Sequence, residues 1–299
     1  MRTKTAMPRP LLAFLLLALC RPLILTAQED ASDVNDEVGV WTEIGVEKAL
    51  TGKWDIGLDM EYRAMNKARF SAGLSTSYKP YKGLKLGLSY NFLNSFRPDK
   101  YKNKDEGDEF SDGWTKGYNL TPEYWFPRHR FGVEATGSIK FLGWLKLSLR
   151  ERYQLTHCKE RSVTKNKHRE TFEKKYDFDE DWNEITWYEE TVTDETKTEV
   201  KPSFTDQVLR SRIKLEYSKK KCRFSPFVSA EFHNSVSRGD HMLLQKIRAS
   251  AGSSYKFRKH NEVSLAYIIT FNMYDVEEGE VVRLHDRRHA VNIGYKYSF

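Results

Sequence analysis

The ten residues WDIGLDMEYR, from Trp54 to Arg63, alternate apolar and polar side chains without a break. The even-numbered positions carry Trp, Ile, Leu, Met and Tyr, and the odd-numbered positions carry Asp, Gly, Asp, Glu and Arg. Successive side chains of a β-strand point to opposite faces. This period of two therefore predicts a strand with one apolar and one polar face.

The same alternation recurs over most of the chain. Clear repeats and further predicted strands cover residues 37–48, 70–78, 84–92, 131–139, 145–152, 206–218, 223–234, 244–257, 261–273 and 287–299. Another candidate, Tyr118–Phe126, contains Pro122 and is followed by Pro127, which is typical of an edge-like or bent strand. With this segment included, the sequence predicts an all-β, antiparallel, up-and-down barrel of about twelve strands.

The alternation fits two environments, because a soluble lipocalin-like barrel would turn its apolar face inward and a transmembrane barrel turns it toward lipid. Three features favour the transmembrane barrel. About twelve strands enclose a lumen wider than a small apolar core would fill. Apolar faces often end in aromatic residues, such as Trp54 and Tyr62, and short turns alternate with long loops. The mean hydropathy of −0.68 agrees, since only alternate residues of such strands face lipid.

The first residues predict a cleaved signal peptide. Basic residues precede the apolar run Leu11–Leu19, and polar residues follow Ala27, so cleavage is expected after Ala27. No later apolar run is long enough for a membrane-spanning helix. The predicted divisions are a signal peptide over 1–27, a short periplasmic segment over 28–36 and an outer-membrane barrel over 37–299.

The charge of the chain lies largely in the leader. The formal net charge is +7, and the leader removes four basic residues and no acidic ones, so the mature chain carries 45 − 42 = +3. A balance this close to neutral predicts no nucleic-acid partner. Zinc-ligand spacing, glycine-rich phosphate loops and the G-x-S-x-G motif are missing from the sequence, so no cofactor is expected. The oligomeric state is left open.

Loop lengths predict an orientation, because outer-membrane barrels have short periplasmic turns and long external loops. Counting back from a periplasmic Phe299 puts three connections outside: 157–203, 235–243 and 274–286. Two alternatives stay open nearer the N-terminus. If Tyr118–Phe126 crosses the membrane, the short turns near residues 50 and 80 fall outside. If it does not cross, the strand count is odd and the first strand enters from the outer side.

The polar strand faces predict a charged lumen. Its expected members are Arg150, Arg152, Arg210, Arg212, Lys214, Lys246 and Arg248, opposed by Asp55, Asp59, Glu61, Glu134, Glu216 and Glu231. Such charges need partners or water inside a narrow barrel. The favoured interpretation is a salt-bridge network that blocks the lumen, and the alternative is an anion-attracting pore or pocket.

Glu231, His233 and Ser235 share one face of a predicted strand and combine an acid, a base and a nucleophile. The His-x-Ser pair resembles that of outer-membrane lipid A deacylases. The alternative function is therefore an outer-membrane lipid hydrolase of the phospholipase or lipid A deacylase type. Because this face is assigned to the lumen, away from acyl chains, a non-catalytic structural, surface-binding or passive-pore role is favoured over an enzyme.

The segment 157–203 predicts a long extracellular loop with a basic first half and an acidic second half. Three aspartates have the spacing of the first ligands of a calcium-binding loop: Asp177, Asp179 and Asp181. Trp182 occupies the position that needs glycine, so an EF-hand is rejected and only loose cation binding remains as an alternative. The interleaved aromatic residues suggest a hairpin that extends the barrel outward as a contact surface for glycan or protein, against the simpler hypothesis of a solvated loop.

Short motifs along the chain carry a family resemblance: PRHRF at 127–131, LSLRERYQ at 147–154, RSRIKLEY at 210–217 and SPFVSAE at 225–231. In these motifs the chain resembles the domain of unknown function 2490 family of Bacteroidota-type outer-membrane β-barrel proteins, over residues 37–299. The resemblance implies an exported barrel in the bacterial outer membrane with a periplasmic C-terminus. It transfers no catalytic residue.

The last predicted strand ends in alternating aromatic residues: Tyr295, Tyr297 and Phe299. This ending resembles the signal by which barrel-assembly machinery recognises its clients. The expected partners are that machinery during biogenesis, and outer-membrane lipid and lipopolysaccharide afterwards.

Overall fold

The alternating segments form the strands of a computed structural model that describes residues 35–109, 111–219, 222–237, 242–258, 260–274 and 283–299. In chain order the strands are β1 (Asn35–Ala49), β2 (Trp54–Ala64), β3 (Arg69–Tyr78), β4 (Leu84–Arg97), β5 (Lys100–Asn103), β6 (Gly113–Thr121), β7 (Tyr124–Phe141), β8 (Leu145–Cys158), β9 (Arg161–Phe178), β10 (Glu184–Lys201), β11 (Phe204–Tyr217), β12 (Phe224–Ser235), β13 (Leu243–Phe257), β14 (Asn261–Tyr274) and β15 (Arg283–Ser298). Within these ranges no helix is long and apolar enough to cross a membrane. The predicted signal peptide, 1–27, lies outside the described residues, as does most of the segment 28–36, whose last two residues belong to β1.

Eleven of the described strands close into a barrel in the order β1-β15-β14-β13-β12-β11-β8-β7-β4-β3-β2. All neighbours are antiparallel except β1 and β15, which run parallel from Asn35↔Asp286 to Glu47↔Ser298. An odd number of strands requires this, since the first and last strands then run in the same direction. The predicted twelve antiparallel strands are therefore corrected to eleven with one parallel closure.

The miscount comes from Tyr118–Phe126, which does not cross the barrel. Its first part belongs to β6 and its last part begins β7, with a break around Pro122. Proline cannot donate a backbone hydrogen bond to a ladder, so the strand ends there. Barrel strand β4 then pairs directly with β7, from Leu84↔Gly137 to Arg97↔Tyr124.

The remaining four strands form a separate sheet in the order β10-β9-β6-β5, here called the outer sheet. Strands β9 and β10 make a hairpin that continues the barrel hairpin of β8 and β11. Each is 18 residues long, about 60 Å at 3.4 Å per residue. Of the two interpretations of the segment 157–203, the structure therefore has the hairpin that extends the barrel and not the solvated loop, and 98–123 supplies the other two strands.

The two ends of the barrel differ. The connections β1–β2, β3–β4, β7–β8, β11–β12 and β13–β14 lie at one end, the turn end, where the Phe299 N–H donates to the Glu47 carbonyl at 2.9 Å. The outer sheet and the strand ends at Ser235, Leu243, Tyr274 and Arg283 lie at the opposite end, the loop end. Because β1 runs parallel to β15, its first residue lies at the loop end. The strand count therefore agrees with the second of the two alternatives, in which Tyr118–Phe126 does not cross and the number of strands is odd.

The outer wall of the barrel is apolar, with side chains such as Leu58, Met60, Val133 and Leu265 more than half exposed. Aromatic rings meet at the turn end in the pairs Trp54–Tyr78, Trp144–Tyr217, Phe224–Tyr255 and Tyr297–Phe299. A second set of rings meets nearer the loop end in the pairs Tyr90–Phe131, Phe92–His129 and Tyr267–His289. The few buried apolar residues include a small cluster of Trp41, Ile268 and Ala290 inside the barrel.

Candidate functional site

All eleven barrel strands contribute to one internal cavity of about 610 Å³. Eleven of the thirteen predicted lumen charges line it: Asp55, Asp59, Glu61, Glu134, Arg150, Arg152, Arg210, Arg212, Lys214, Glu231 and Arg248. Lys246 and Glu216 are half-buried but do not line the cavity, and Glu216 lies 2.6 Å from the ammonium of Lys214. The charged strand faces thus point inward and the apolar faces point outward.

Glu231 is the centre of an ion cluster in this cavity. Its carboxylate accepts hydrogen bonds from Arg150 Nη2 at 2.6 Å, from Arg210 Nε at 3.1 Å and from His233 Nε2 at 2.7 Å. Arg248 Nη1 lies 3.7 Å away. These residues, the Glu231 cluster, come from β8, β11, β12 and β13, so one buried carboxylate ties four strands together across the lumen.

Two further carboxylates hold arginines in the same cavity. Glu134 accepts from Arg152 Nε at 2.7 Å, and the Arg150 guanidinium of the Glu231 cluster lies 4.0 Å from Glu134. On the opposite wall Glu61 accepts from Arg63 Nε at 2.7 Å. The lumen therefore holds linked ion pairs, as expected for charges that lose most of their water.

Several lumen residues are missing from the predicted set, among them Arg63, Arg69 and Arg130. Arg69 pairs with Glu61, and Arg130 Nε donates to Thr156 Oγ1 at 3.1 Å. All three arginines continue the period of two along β2, β3 and β7, so their odd or even position in the strand (parity) is enough to predict that they face the lumen. Parity could not show the stacking of the Arg63 and Arg248 guanidiniums on Trp41, at 3.7 and 4.9 Å from the ring centroid.

Glu231, His233 and Ser235 all point inward, and Ser235 has no exposed surface. His233 is bound to Glu231, while the hydroxyl of Ser235 makes no hydrogen bond to any described residue. The pairing of β12 with β13 shifts register between His233 and Asn234, with Gln245 of β13 as the extra residue. The geometry brings the acid and the base together and leaves the predicted nucleophile apart from them.

One face of the outer sheet, formed by the odd-numbered residues of β9 and β10, carries a row of ion pairs. Lys167 Nζ lies 2.6 Å from Glu195, and Lys165 pairs with Glu199. Lys201 Nζ is also 2.7 Å from Glu199. Hydrogen bonds from Lys165 and Lys201 lower the pKa of the Glu199 carboxyl to about 2.

The even-numbered face of the outer sheet is aromatic. Trp114 is buried, stacks on Phe172 with centroids 4.7 Å apart and meets the edge of Tyr188 at 4.6 Å. Tyr101 and Tyr118 stack at 4.8 Å. These contacts join β5, β6, β9 and β10 through side chains as well as through the backbone ladder.

His168 lies on this aromatic face between two carboxylates. Its Nε2 is 3.0 Å from Glu170 Oε1, and its Nδ1 is 2.7 Å from Asp194 Oδ1. The hydrogen bonds to Glu170 and then to Asp194 raise the pKa of the His168 imidazole above its ordinary value.

At the tip of the hairpin, the Asp179 carboxylate is used by the turn itself. It accepts the N–H groups of Asp181 and Asn183 at 2.9 and 2.7 Å, and the Asn183 amide holds the pKa of Asp179 below its usual range. Asp177 accepts the N–H of Phe178 at 2.8 Å. In the described part of the chain no three His, Cys, Asp or Glu side chains are placed to hold a metal ion.

A family model for proteins of unknown function, DUF2490, matches residues 38–278. The chain belongs to this family. Among solved structures, the DUF2490 chain is similar to the translocator domain of autotransporter NalP from Neisseria meningitidis, with 11% identity and a TM-score of 0.28 over 86% of this chain and 91% of that chain. A likeness this slight says nothing about function. No curated protein sequence matches the chain.

In this DUF2490 protein the three aromatic residues predicted as a C-terminal assembly signal lie at the turn end: Tyr295, Tyr297 and Phe299. The Tyr295 hydroxyl donates to Asn261 Oδ1 at 2.6 Å, and Tyr297 lies between His260 and Phe299 with ring centroids 5.9 and 4.8 Å away. The terminal aromatic residues are thus part of the aromatic set at that end.

Proposed function

We propose that this DUF2490 protein is a non-catalytic integral barrel of the bacterial outer membrane, closed by the Glu231 cluster, that presents the outer sheet as a binding surface outside the cell. The observation that carries the proposal is the contrast between an apolar outer wall, bounded by aromatic residues at both ends, and a charged inner wall. A soluble barrel would need the opposite arrangement.

The height of the apolar wall supports the membrane location. On β2 the outward residues between Trp54 and Tyr62 are Ile56, Leu58 and Met60. Eight residues span about 27 Å along a strand, and outer-membrane barrels carry an apolar band of about 25 Å between aromatic girdles. Tilt shortens this span somewhat, which leaves it close to the thickness of a thin bilayer.

The two ends support an orientation. Short turns and the C-terminus belong at the periplasmic end of such barrels, and long connections belong outside. The outer sheet then faces the medium, next to lipopolysaccharide. Export follows from the predicted signal peptide over 1–27, and Tyr295, Tyr297 and Phe299 are proposed as the residues that the barrel-assembly machinery recognises.

The Glu231 cluster supports a closed lumen. Its arginines cross from three strands to one carboxylate, and separating such buried charges without water is costly. The expected result in planar lipid bilayers is therefore no steady conductance for the wild-type protein. Glu231→Gln keeps the shape but removes the charge that holds the arginines, and it should open a measurable, anion-preferring conductance.

Glu199→Gln in the outer sheet is the matched control and should show no steady conductance, like the wild-type protein. A steady wild-type conductance would overturn the closed lumen and favour the anion-attracting pore. The membrane location has its own test: the protein should sediment with the outer membrane, resist carbonate extraction and migrate differently on gels before and after boiling. Release by carbonate would contradict an integral barrel.

A further inference from the structure

The longest open sheet edge in the described part of the chain belongs to β10. Strand β10 pairs with β9 over 18 residues without a shift in register, and no described residue pairs with its other side. Natural sheet edges are usually short, bulged, interrupted by proline or covered. Within β10 there is neither proline nor bulge. A row of backbone donors and acceptors is therefore left unpaired.

The direction of each backbone group follows from two hydrogen bonds. Lys174 N–H donates to the Asp112 carbonyl just before β6, at 3.0 Å, while Asp179 N–H donates to the Asn183 carbonyl within the hairpin, also at 3.0 Å. Because these directions alternate along a strand, even-numbered residues of β9 face β6 and odd-numbered residues face β10. Even residues of β9 lie opposite even residues of β10. The even-numbered residues from Thr186 to Val200 therefore direct N–H and C=O groups to the open edge.

The charge of β10 selects what can pair there. The strand carries six carboxylates and two lysines. Lysines of its existing neighbour, β9, form ion pairs with some of these carboxylates. Glu190 has no ion-pair partner among the described residues, and the Asp194 side chain is 76% exposed. Opposite charges across strands stabilise a sheet, and like charges directly opposite destabilise it. The open edge therefore favours a basic strand.

A second copy of this chain fits the edge poorly. In one membrane all copies have the same orientation, so two β10 edges would meet in parallel. Each copy would bring six carboxylates and only two lysines to the shared edge, so carboxylates would meet carboxylates. Such pairing of like charges is a recognised device by which proteins prevent their own edges from associating.

We propose that the open edge of β10 binds an extended polypeptide segment rich in lysine or arginine, which joins the outer sheet as a fifth strand. Main-chain hydrogen bonds to the even-numbered residues provide affinity, and basic side chains opposite Glu190 and Asp194 provide selectivity. The inference rests on the proposed function in one respect: the outer sheet must stand outside the membrane for the partner to reach it.

The test uses the full chain in detergent micelles and a short fluorescent peptide that alternates lysine with threonine. Val192→Pro removes an N–H from the open edge and leaves the hydrogen bonds to β9 in place. Val192→Thr is the matched control. We expect wild type and Val192→Thr to bind equally, Val192→Pro to bind roughly tenfold more weakly or worse, and a peptide with glutamate in place of lysine not to bind.

Amide hydrogen exchange provides a readout that depends on residue parity. The peptide should slow exchange at even-numbered residues of β10 and leave odd-numbered residues, already bonded to β9, unchanged. Equal peptide binding by Val192→Pro, or no binding of the basic peptide by wild type, would overturn the proposal. So would concentration-dependent protection of the even-numbered amides without peptide, because a second copy would then occupy the edge.

Labelling on intact cells separates this inference from the proposed function. Trp182, at the hairpin tip, is 82% exposed. Trp182→Cys should react with a membrane-impermeant maleimide if the outer sheet faces the medium. Failure to label would overturn the outward placement, whereas the peptide assay in micelles would still decide whether the edge binds a basic strand.

Discussion

Glu231 in the barrel and Glu199 in the outer sheet both bind basic side chains, but their surroundings differ. The Glu231 side chain is 5% exposed and holds arginines from three other strands. The Glu199 side chain is 29% exposed and holds Lys165 and Lys201. A buried charge that loses its partner has no water to replace it, whereas an exposed charge does. The barrel pairs therefore constrain the fold, and the outer-sheet pairs leave a surface free to exchange partners.

The largest expected effect comes from removing the buried carboxylate, Glu231. Glu231→Ala leaves Arg150 and Arg210 without their carboxylate in the lumen, which should lower the free energy of unfolding by about 3–5 kcal/mol. Urea unfolding of the protein in lipid vesicles measures this. Glu199→Ala is the matched control and should leave the midpoint near that of wild type. Equal, small losses for both variants would mean that lumen water solvates the arginines, and the comparison would fail.

A second change tests whether the two sheets are independent. Trp114→Ala removes the ring that packs between Phe172 and Tyr188, and loss of a buried aromatic side chain costs about 3 kcal/mol. The backbone of the outer sheet continues into the barrel through the connections β8–β9 and β10–β11. Because the contacts of the Trp114 ring lie within the outer sheet, we nevertheless expect faster amide exchange in β6 and β9 with the barrel amides unchanged. Faster exchange in both sheets would show that they open as one unit.

The strands of the barrel could be predicted from sequence because parity is a local property. Trp54–Arg63 coincides with β2 to within one residue, and the predicted segment 261–273 coincides with β14. The side of the wall on which a side chain lies follows from its position in the alternation. For the same reason most of the charged residues that line the cavity could be named in advance.

The pairing of distant segments could not be predicted in this way. Strand β6 pairs with β9 from Gly113↔Glu173 to Leu120↔Asn166, across more than forty residues of intervening chain. Nothing within either segment specifies the other, so the sequence includes Tyr118–Phe126 in the strand count and leaves open whether it crosses the membrane. The convergence on Glu231 depends likewise on the register of four strands, which alternation leaves undetermined. The same holds for the parallel closure of β1 on β15.

The smallest expected effect is a pH dependence confined to the outer sheet. Hydrogen bonds to Glu170 and Asp194 raise the pKa of His168 above its ordinary value near 6.5. A raised folded-state pKa means that protonated His168 stabilises the sheet fully below about pH 6.5 and that this stabilisation is lost as pH rises through the folded-state pKa. An NMR titration of the imidazole should show the raised pKa, and Asp194→Asn should lower it while Asp177→Asn leaves it unchanged. A pKa insensitive to Asp194→Asn would mean that the carboxylate does not hold the imidazole, and that Asp194 is free for a partner at every pH.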